Sequence, residues 1–317
     1  NIWVTNKGAA SVSVISPSSL TVTATITLAR ASQPHGIAFA RSSGTALVVL
    51  EASGQLVKIN ASTNAVSGTL AIGANPRHVA VAADGSTAYV SRFITPALPG
   101  EGTASVTTAG QGGELLVINS GSLTLTRTLK LAHSDKPDAE NQGRGIPNYL
   151  GAAAISPDGS QAFVPGKQDN ILRGGQRDGL ALNFQSTVRA ISSRVDLATQ
   201  AEDLAARVDH DNASLASAAA FDPLGLFVFV ALETSREVAV LDAHRRVQLF
   251  RIDTGRAPQA LLVSPDRRTL YVQNFMDRTV SVFDLTPLVQ QGLAAATPVA
   301  TLNAVATEKL SATVLKG

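Results

Sequence analysis

The chain of 317 residues has no cysteine, so its candidate chemistry rests on five histidines and on acidic and basic side chains. His35 follows Pro34 by one residue and His78 follows Pro76 by two. Two imidazoles at nearly corresponding places can ligate a metal or divide acid and base roles, because histidine changes charge near neutral pH. Glu233 is the carboxylate that would complete such a site. His210 stands in the run Asp209-His210-Asp211-Asn212, and Asp169 and Asp178 lie in the Gly-rich stretch 167–179. The carboxylates of Asp169, Asp178, Asp209 and Asp211 suit a hard cation such as calcium, although no EF-hand spacing accompanies them. Asp and Arg mixed in this way also make ion-pair networks that order a loop. Nucleophile-elbow, P-loop, Rossmann and H-E-x-x-H motifs are all missing.

These residues must be held by a repeat. A large apolar residue followed by Val or its like recurs at Trp3, Leu47, Tyr89, Phe163, Phe229 and Tyr271, at spacings of 44, 42, 74, 66 and 42 residues. Thirteen residues before three of these anchors stands a proline, Pro34, Pro76 or Pro258, and each opens an apolar or alternating run. Five residues before three anchors stands a turn aspartate, Asp84, Asp158 or Asp266. Asp-Gly and Pro-Asp are hairpin chemistry, since Pro presets φ and Gly accepts a positive φ. A third strand follows nine residues after three anchors, beginning at Val12, Val238 and Val280. The alternation has period two, as two-faced strands require. A unit of 42 to 44 residues is the length of a four-stranded propeller blade.

Departures from the period mark the binding face. From Tyr89 to the next strand at Leu115 is 26 residues, and from Phe163 to Val188 is 25, in place of nine. With the long connection near 132–149, this predicts insertions at 94–112, 132–149 and 165–186, all on one face of one propeller spanning 1–317. Long loops on a rigid scaffold carry function disproportionately. The predicted binding face comprises Arg144, Asn148, Tyr149, Lys167, Asp169, Asn170, Arg173, Arg177, Asp178, His210 and Arg236. His244-Arg245-Arg246 and Arg267-Arg268 form a small basic patch on the opposite face.

The segments IWVTN…SVSVI, SPDGSQAFV and SPDRRTLYVQNFMDRTVSVFDL resemble the YVTN family of bacterial β-propeller repeats. The resemblance implies an all-β propeller of four-stranded blades, seven in number, although six are countable. It also leads to the expectation that Ser311-Ala312-Thr313-Val314-Leu315 supplies a missing strand and closes the ring. A narrower likeness runs from Gly145-Ile146-Pro147-Asn148-Tyr149-Leu150 to Arg194-Val195-Asp196, with Asp209–Asn212 and the ending Glu308–Gly317. It resembles proteins in which such a propeller precedes a cytochrome c peroxidase-like haem domain. It implies a fragment of a longer periplasmic or secreted bacterial chain, with haem-binding Cys and His beyond Gly317.

Composition sets the remaining bounds. Lys and Arg number 26 against 24 Asp and Glu, a net of +2, which argues against a nucleic-acid partner held by a broad basic surface. No apolar run reaches the roughly 18 residues of a membrane span. Without cysteine there is no disulfide, no thiolate-ligated metal and no covalent c-type haem in these residues, and a Cys-free chain fits a periplasmic or secreted protein, although cytosolic proteins can lack Cys too. The expected function is a non-catalytic binding or scaffold module, whose partner is a protein or an adjacent haem domain. Two alternatives stay open. One is a lactonase-like hydrolase taking a small ligand at the channel mouth, with His35, His78 and Glu233 as its candidate residues. The other is an electron-transfer partner resembling the propeller chain of quinoprotein amine dehydrogenases.

Overall fold

β-Branched and aromatic residues alternate through most of the chain, and Gly, Asn and Asp punctuate them at short intervals, which favours antiparallel hairpins over helices. The computed structural model describes residues 1–317 except Gln176, Glu308, Ala312 and 315–317. It is a propeller of six blades. Blade 1 holds β1 (Ile2–Asn6), β2 (Ser11–Ile15) and β3 (Val22–Thr27). Blade 2 holds β4 (Pro34–Ala40), β5 (Thr45–Leu50), β6 (Gln55–Asn60) and β7 (Ala65–Ala71). Blade 3 holds β8 (Pro76–Val81), β9 (Thr87–Arg92), β10 (Gly112–Asn119) and β11 (Thr124–Ala132). Blade 4 contains β12 (Ser134–Ala139), β13 (Gln142–Asn148), β14 (Ala154–Ile155), β15 (Gln161–Asp169), the short helix α1 (Phe184–Thr187), β16 (Val188–Asp196) and β17 (Ala201–His210). Blade 5 holds β18 (Ala216–Phe221), β19 (Phe227–Leu232), β20 (Glu237–Asp242) and β21 (Val247–Asp253). Blade 6 holds β22 (Pro258–Val263), β23 (Thr269–Asn274), β24 (Thr279–Asp284), helix α2 (Thr286–Gln291) and β25 (Thr297–Asn303).

Leu47, Tyr89, Phe163, Phe229 and Tyr271 lie on the strand next to the innermost one and Trp3 on the first strand of three-stranded blade 1, and each anchor's strand pairs antiparallel with the strand that follows it. Pro34, Pro76 and Pro258 open the innermost strands, where a missing N–H is tolerated. Five apolar clusters join blade 1 to 2, 2 to 3, 3 to 4, 4 to 5 and 5 to 6. Each interior blade is therefore covered on both faces, and every residue of β5 is buried. In β1 only Trp3 is buried, with Ile2 and Val4 exposed on the other face, and in β23 Tyr271 is exposed. The outer faces of blades 1 and 6 thus lack the apolar packing of the other interfaces among the described residues.

Three expectations need correction. The family resemblance implied seven blades and the repeats countable in the sequence six, and the described residues form six. The closing strand at 311–315 is not seen, because β25 is blade 6's own outer strand and Thr313 and Val314 are helical, while Ala312 and Leu315 lie outside the described residues. The connection at 132–149 is not a loop. Its polar residues pair as the hairpin β12–β13, which continues the sheet of blade 4 through Ile146, Pro147 and Asn148 against Asp169, Gln168 and Lys167. A charged, Gly-rich composition concealed it, since neither strand alternates apolar with polar residues.

Candidate functional site

Two repeat positions build the rim of the central channel. The residue four past each anchor is Lys7, Glu51, Phe93, Lys167 or Glu233 in blades 1 to 5, and the residue after the opening proline is His35, Arg77 or Gln259 in blades 2, 3 and 6. The backbone reproduces this equivalence. The N–H groups of Glu51, Phe93, Glu233 and Phe275 donate to the carbonyls of Gln33, Asn75, Leu215 and Ala257, which close off the innermost strands. Of these side chains His35, Arg77, Phe93, Glu233 and Gln259 line a cavity of about 320 Å³, together with His78 and Tyr149.

Its walls are fixed by a chain of polar and aromatic contacts. Lys7 Nζ lies 2.7 Å from Glu51 Oε2, and Arg77 donates to Glu51 Oε1 through Nε at 3.1 Å and Nη2 at 2.7 Å. The Arg77 guanidinium lies over Phe93 at 3.4 Å, and Phe93 stacks on Tyr149 at 4.5 Å. Lys167 covers the Tyr149 ring at 4.0 Å and pairs with Asp169 at 3.1 Å. Cation–π and ion-pair contacts in sequence hold each member in one rotamer. On the far side Gln259 Nε2 donates to Glu233 Oε1 at 3.2 Å. The rings of His35 and His78 meet edge to face with centroids 4.9 Å apart. Their approach needs Gly36, where an added Cβ would lie 2.6 Å from the Arg77 carbonyl oxygen. Burial first, then the adjoining His35 ring and Arg77, hold His78 down at about 3. Burial and then Arg77 lower His35 as well. Both imidazoles are therefore neutral at pH 7 and offer this cavity hydrogen-bonding nitrogens rather than charge.

The three insertions meet outside this rim. Thr95 Oγ1 donates to the Pro147 carbonyl at 2.6 Å and Thr95 N to Asn148 Oδ1 at 2.9 Å, tying 94–112 to the hairpin. Arg177 Nη2 donates to the Glu101 carbonyl, tying 94–112 to 165–186. Asn148 Nδ2 donates to Asp169 Oδ2 at 2.9 Å. Arg173 reaches Asp138 at 3.4 Å and Asp178 at 3.5 Å, and Asn170 Nδ2 donates to the Ser186 carbonyl at 2.8 Å. Arg144 is on β13 beside these contacts, with its N–H donating to Asp138 Oδ1 at 3.1 Å. At the base of the hairpin, Arg207 donates to Glu202, to Gln168 Oε1 and to the Ala132 carbonyl.

Between hairpin, loop and the end of β17 lies a second cavity of about 410 Å³. Arg189 Nη1 stands between Asp209 Oδ2 at 3.2 Å and Asp211 Oδ1 at 3.3 Å, and the Asp211 carboxylate also accepts from Asn141 N. Burial raises Asp209 to about 6, against the opposing pull of Arg189. His210 is fully buried, bonds Ser192 Oγ through Nε2 at 2.9 Å, and is lowered by that burial to about 3.

Set against the sequence-level candidates, this geometry gathers His35, His78 and Glu233 in one cavity and most of the predicted binding face around blade 4. It does not converge the four aspartates. Asp169 belongs to Lys167, Asp178 to Arg173, and Asp209 with Asp211 to Arg189. Among the described residues no group of three His, Cys, Asp or Glu is placed to hold a metal ion. Arg236 sits apart at a turn of blade 5, with φ 62°. On the opposite face Arg246 pairs with Asp203 and Arg267 with Asp222, so the basic patch is partly neutralised. Glu51, Arg77 and Phe93 were missed, although the offset that singles out Glu233 also picks out Glu51 and Phe93. Arg189, Asp138 and the Arg207–Glu202 pair carried no signal, because only the hairpin brings them together.

No family model matches the chain, and no curated protein matches it. Solved structures do. Hydrazine synthase of Kuenenia stuttgartiensis is similar over 89% of this chain and 91% of its own, at 14% identity and a TM-score of 0.55. A functionally unknown protein from Desulfotomaculum acetoxidans DSM 771 is similar over 94% of this chain and 78% of its own, at 17% identity and a TM-score of 0.62. Likeness at this level shows the fold alone: a β-propeller.

Proposed function

We propose that this chain is a non-catalytic binding module, and that the face built by its three insertions receives a protein partner. The observation that supports this most is the mutual locking of the insertions. Residues 94–112, the β12–β13 hairpin and 165–186 bond one another through Thr95, Asn148 and Arg177, so the face is pre-organised before any partner arrives. Pre-organised loops lower the ordering entropy of association. The YVTN-like segments and the likeness to propellers that precede a haem domain suggest a periplasmic or secreted protein whose partner is a c-type haem domain. That haem would have to be held elsewhere, since thioether attachment needs cysteines that these residues lack. Deleting 167–179 tests the reading. Loss of the partner co-purified from the native source is expected, and unaltered retention would overturn it.

The shared cavity of His35, His78 and Glu233 favours one other reading, a hydrolase acting on a small ligand at the channel mouth. Two neutral imidazoles can accept hydrogen bonds there, and the Glu233 carboxylate lines the same cavity. Screening the purified chain against lactones and esters decides it. Turnover lost in Glu233→Gln would support an enzyme, and no turnover with any of them would remove it.

A further inference from the structure

We propose that the cavity at the channel mouth binds a small organic zwitterion, with its carboxylate toward blades 2 and 3 and its ammonium toward blades 5 and 6. The residue twelve before each anchor of blades 2 to 6 is His35, Arg77, Gly151, Ser217 or Gln259, and all five line this cavity of about 320 Å³. Gly151 adds no side chain, so blade 4 leaves open the space between the polar groups of blades 2 and 3 and those of blades 5 and 6. Such a volume lies at the small end of ligand sites and suits a molecule the size of an amino acid or dipeptide.

Hydrogen-bonding capacity is left over on both sides. Arg77 spends Nε and Nη2 on Glu51, and among the described residues nothing bonds its Nη1. The His78 ring meets His35 edge to face, and among the described residues no group bonds either of its nitrogens. A desolvated imidazole without a partner is costly, and these nitrogens are not sealed in the core but line the cavity, where a ligand can satisfy them. On the other side Gln259 Nε2 donates to Glu233 Oε1, which leaves Glu233 Oε2 and the Gln259 carbonyl oxygen as acceptors. Ser217 Oγ donates to the Pro258 carbonyl at 2.6 Å, so it too presents lone pairs. Lys7 and Arg77 against Glu51 leave one positive charge on the side of blades 2 and 3, and Glu233 places one negative charge on the other. Two opposed single charges complement a zwitterion, whereas a ligand with one charge leaves one wall uncompensated. Stacking of a sugar is not available, because Arg77 and Tyr149 take the faces of Phe93, and Phe93 and Lys167 take those of Tyr149.

This goes beyond the protein partner of the insertion face and needs no turnover, so it can stand where the hydrolase reading of the same cavity fails. Calorimetric titration of the intact chain at neutral pH and low salt tests it, with leucine and glycylleucine as zwitterions and with N-acetylleucine, leucinamide and glucose as controls. One-to-one binding of at least one zwitterion is expected, about tenfold or more tighter than either singly charged control, and weakened about tenfold or more by Glu233→Gln and by Arg77→Gln. Arg77 also holds Glu51 and Phe93, so if Arg77→Gln misfolds, Glu233→Gln and the two singly charged controls still test each end of the cavity. No binding of either zwitterion up to about 10 mM, N-acetylleucine or leucinamide binding as tightly as leucine and glycylleucine, glucose binding in their place, or zwitterion binding unchanged in a folded Glu233→Gln variant overturns the proposal. Lactone and ester turnover is a separate readout, so binding without turnover removes the hydrolase and keeps the zwitterion site, and turnover without zwitterion binding does the reverse.

Discussion

His35 and His78 come from adjacent blades and touch edge to face at 4.9 Å, with planes at 85°, so protonating either places a cation against its neighbour. His78 is held at about 3 in the fold, against 6.5 when free. The unfolded chain therefore binds the extra proton between those values, and stability contributed by neutral His78 is full above pH 6.5 and lost as pH falls toward 3. His210 acts in the same sense. Asp209, raised to about 6, acts in the opposite sense, becoming less unfavourable as pH falls through that value. Melting temperatures from pH 7.5 to 4.5 should therefore decline less steeply in His78→Gln than in the parent chain. Parallel slopes would show that the ring is not held neutral.

Equivalent repeat positions should differ in energetic weight. Phe229 is fully buried between blades 5 and 6, whereas Tyr271, at the same repeat position, is 37% exposed on the outer face of blade 6. Phe229→Ala should cost about 3–5 kcal/mol in denaturant unfolding. Tyr271→Ala should cost no more than about 1 kcal/mol. Equal losses would mean that the outer face of blade 6 is covered in solution.

Arg207 and Glu202 form a buried pair, with side chains 5% and 4% exposed. Arg207 also bonds the Ala132 carbonyl at 2.6 Å, and Glu202 Oε2 accepts from Ala132 N at 2.6 Å. The pair thereby anchors the strand end from which the hairpin departs. Removing one partner leaves an uncompensated buried charge, so Glu202→Leu should destabilise by about 3–5 kcal/mol. The double variant Glu202→Leu, Arg207→Met should recover part of that loss, and a double-mutant cycle measures how much.

Arg177→Ala should release 94–112 without weakening the propeller. The side chain reaches only the Glu101 carbonyl across the loops, and a surface change of this kind moves stability by about 0.5 kcal/mol or less. Faster proteolytic cleavage within 94–112 at an unchanged melting temperature is the expected result. Unchanged cleavage would mean that Thr95 alone holds the loop.

The sequence by itself determined the blade. Its anchors, opening prolines, Asp turns and period-two strands specify local hairpins, and local hydrogen bonding and φ preferences are written in neighbouring residues. The same period placed Glu233 on the rim and could have placed Glu51 and Phe93 there. Tertiary structure alone decided the rest. The β12–β13 hairpin pairs charged residues that show no alternation. Asp209 meets Arg189 from 20 residues away, and Asp211 meets the hairpin tip at Asn141 from 70 residues away. Trp3, Phe229 and Tyr271 read alike as anchors, yet their burial depends on whether a neighbouring blade packs on each face. Contacts between blades join segments distant along the chain, and a repeat specifies each segment without specifying what stands beside it.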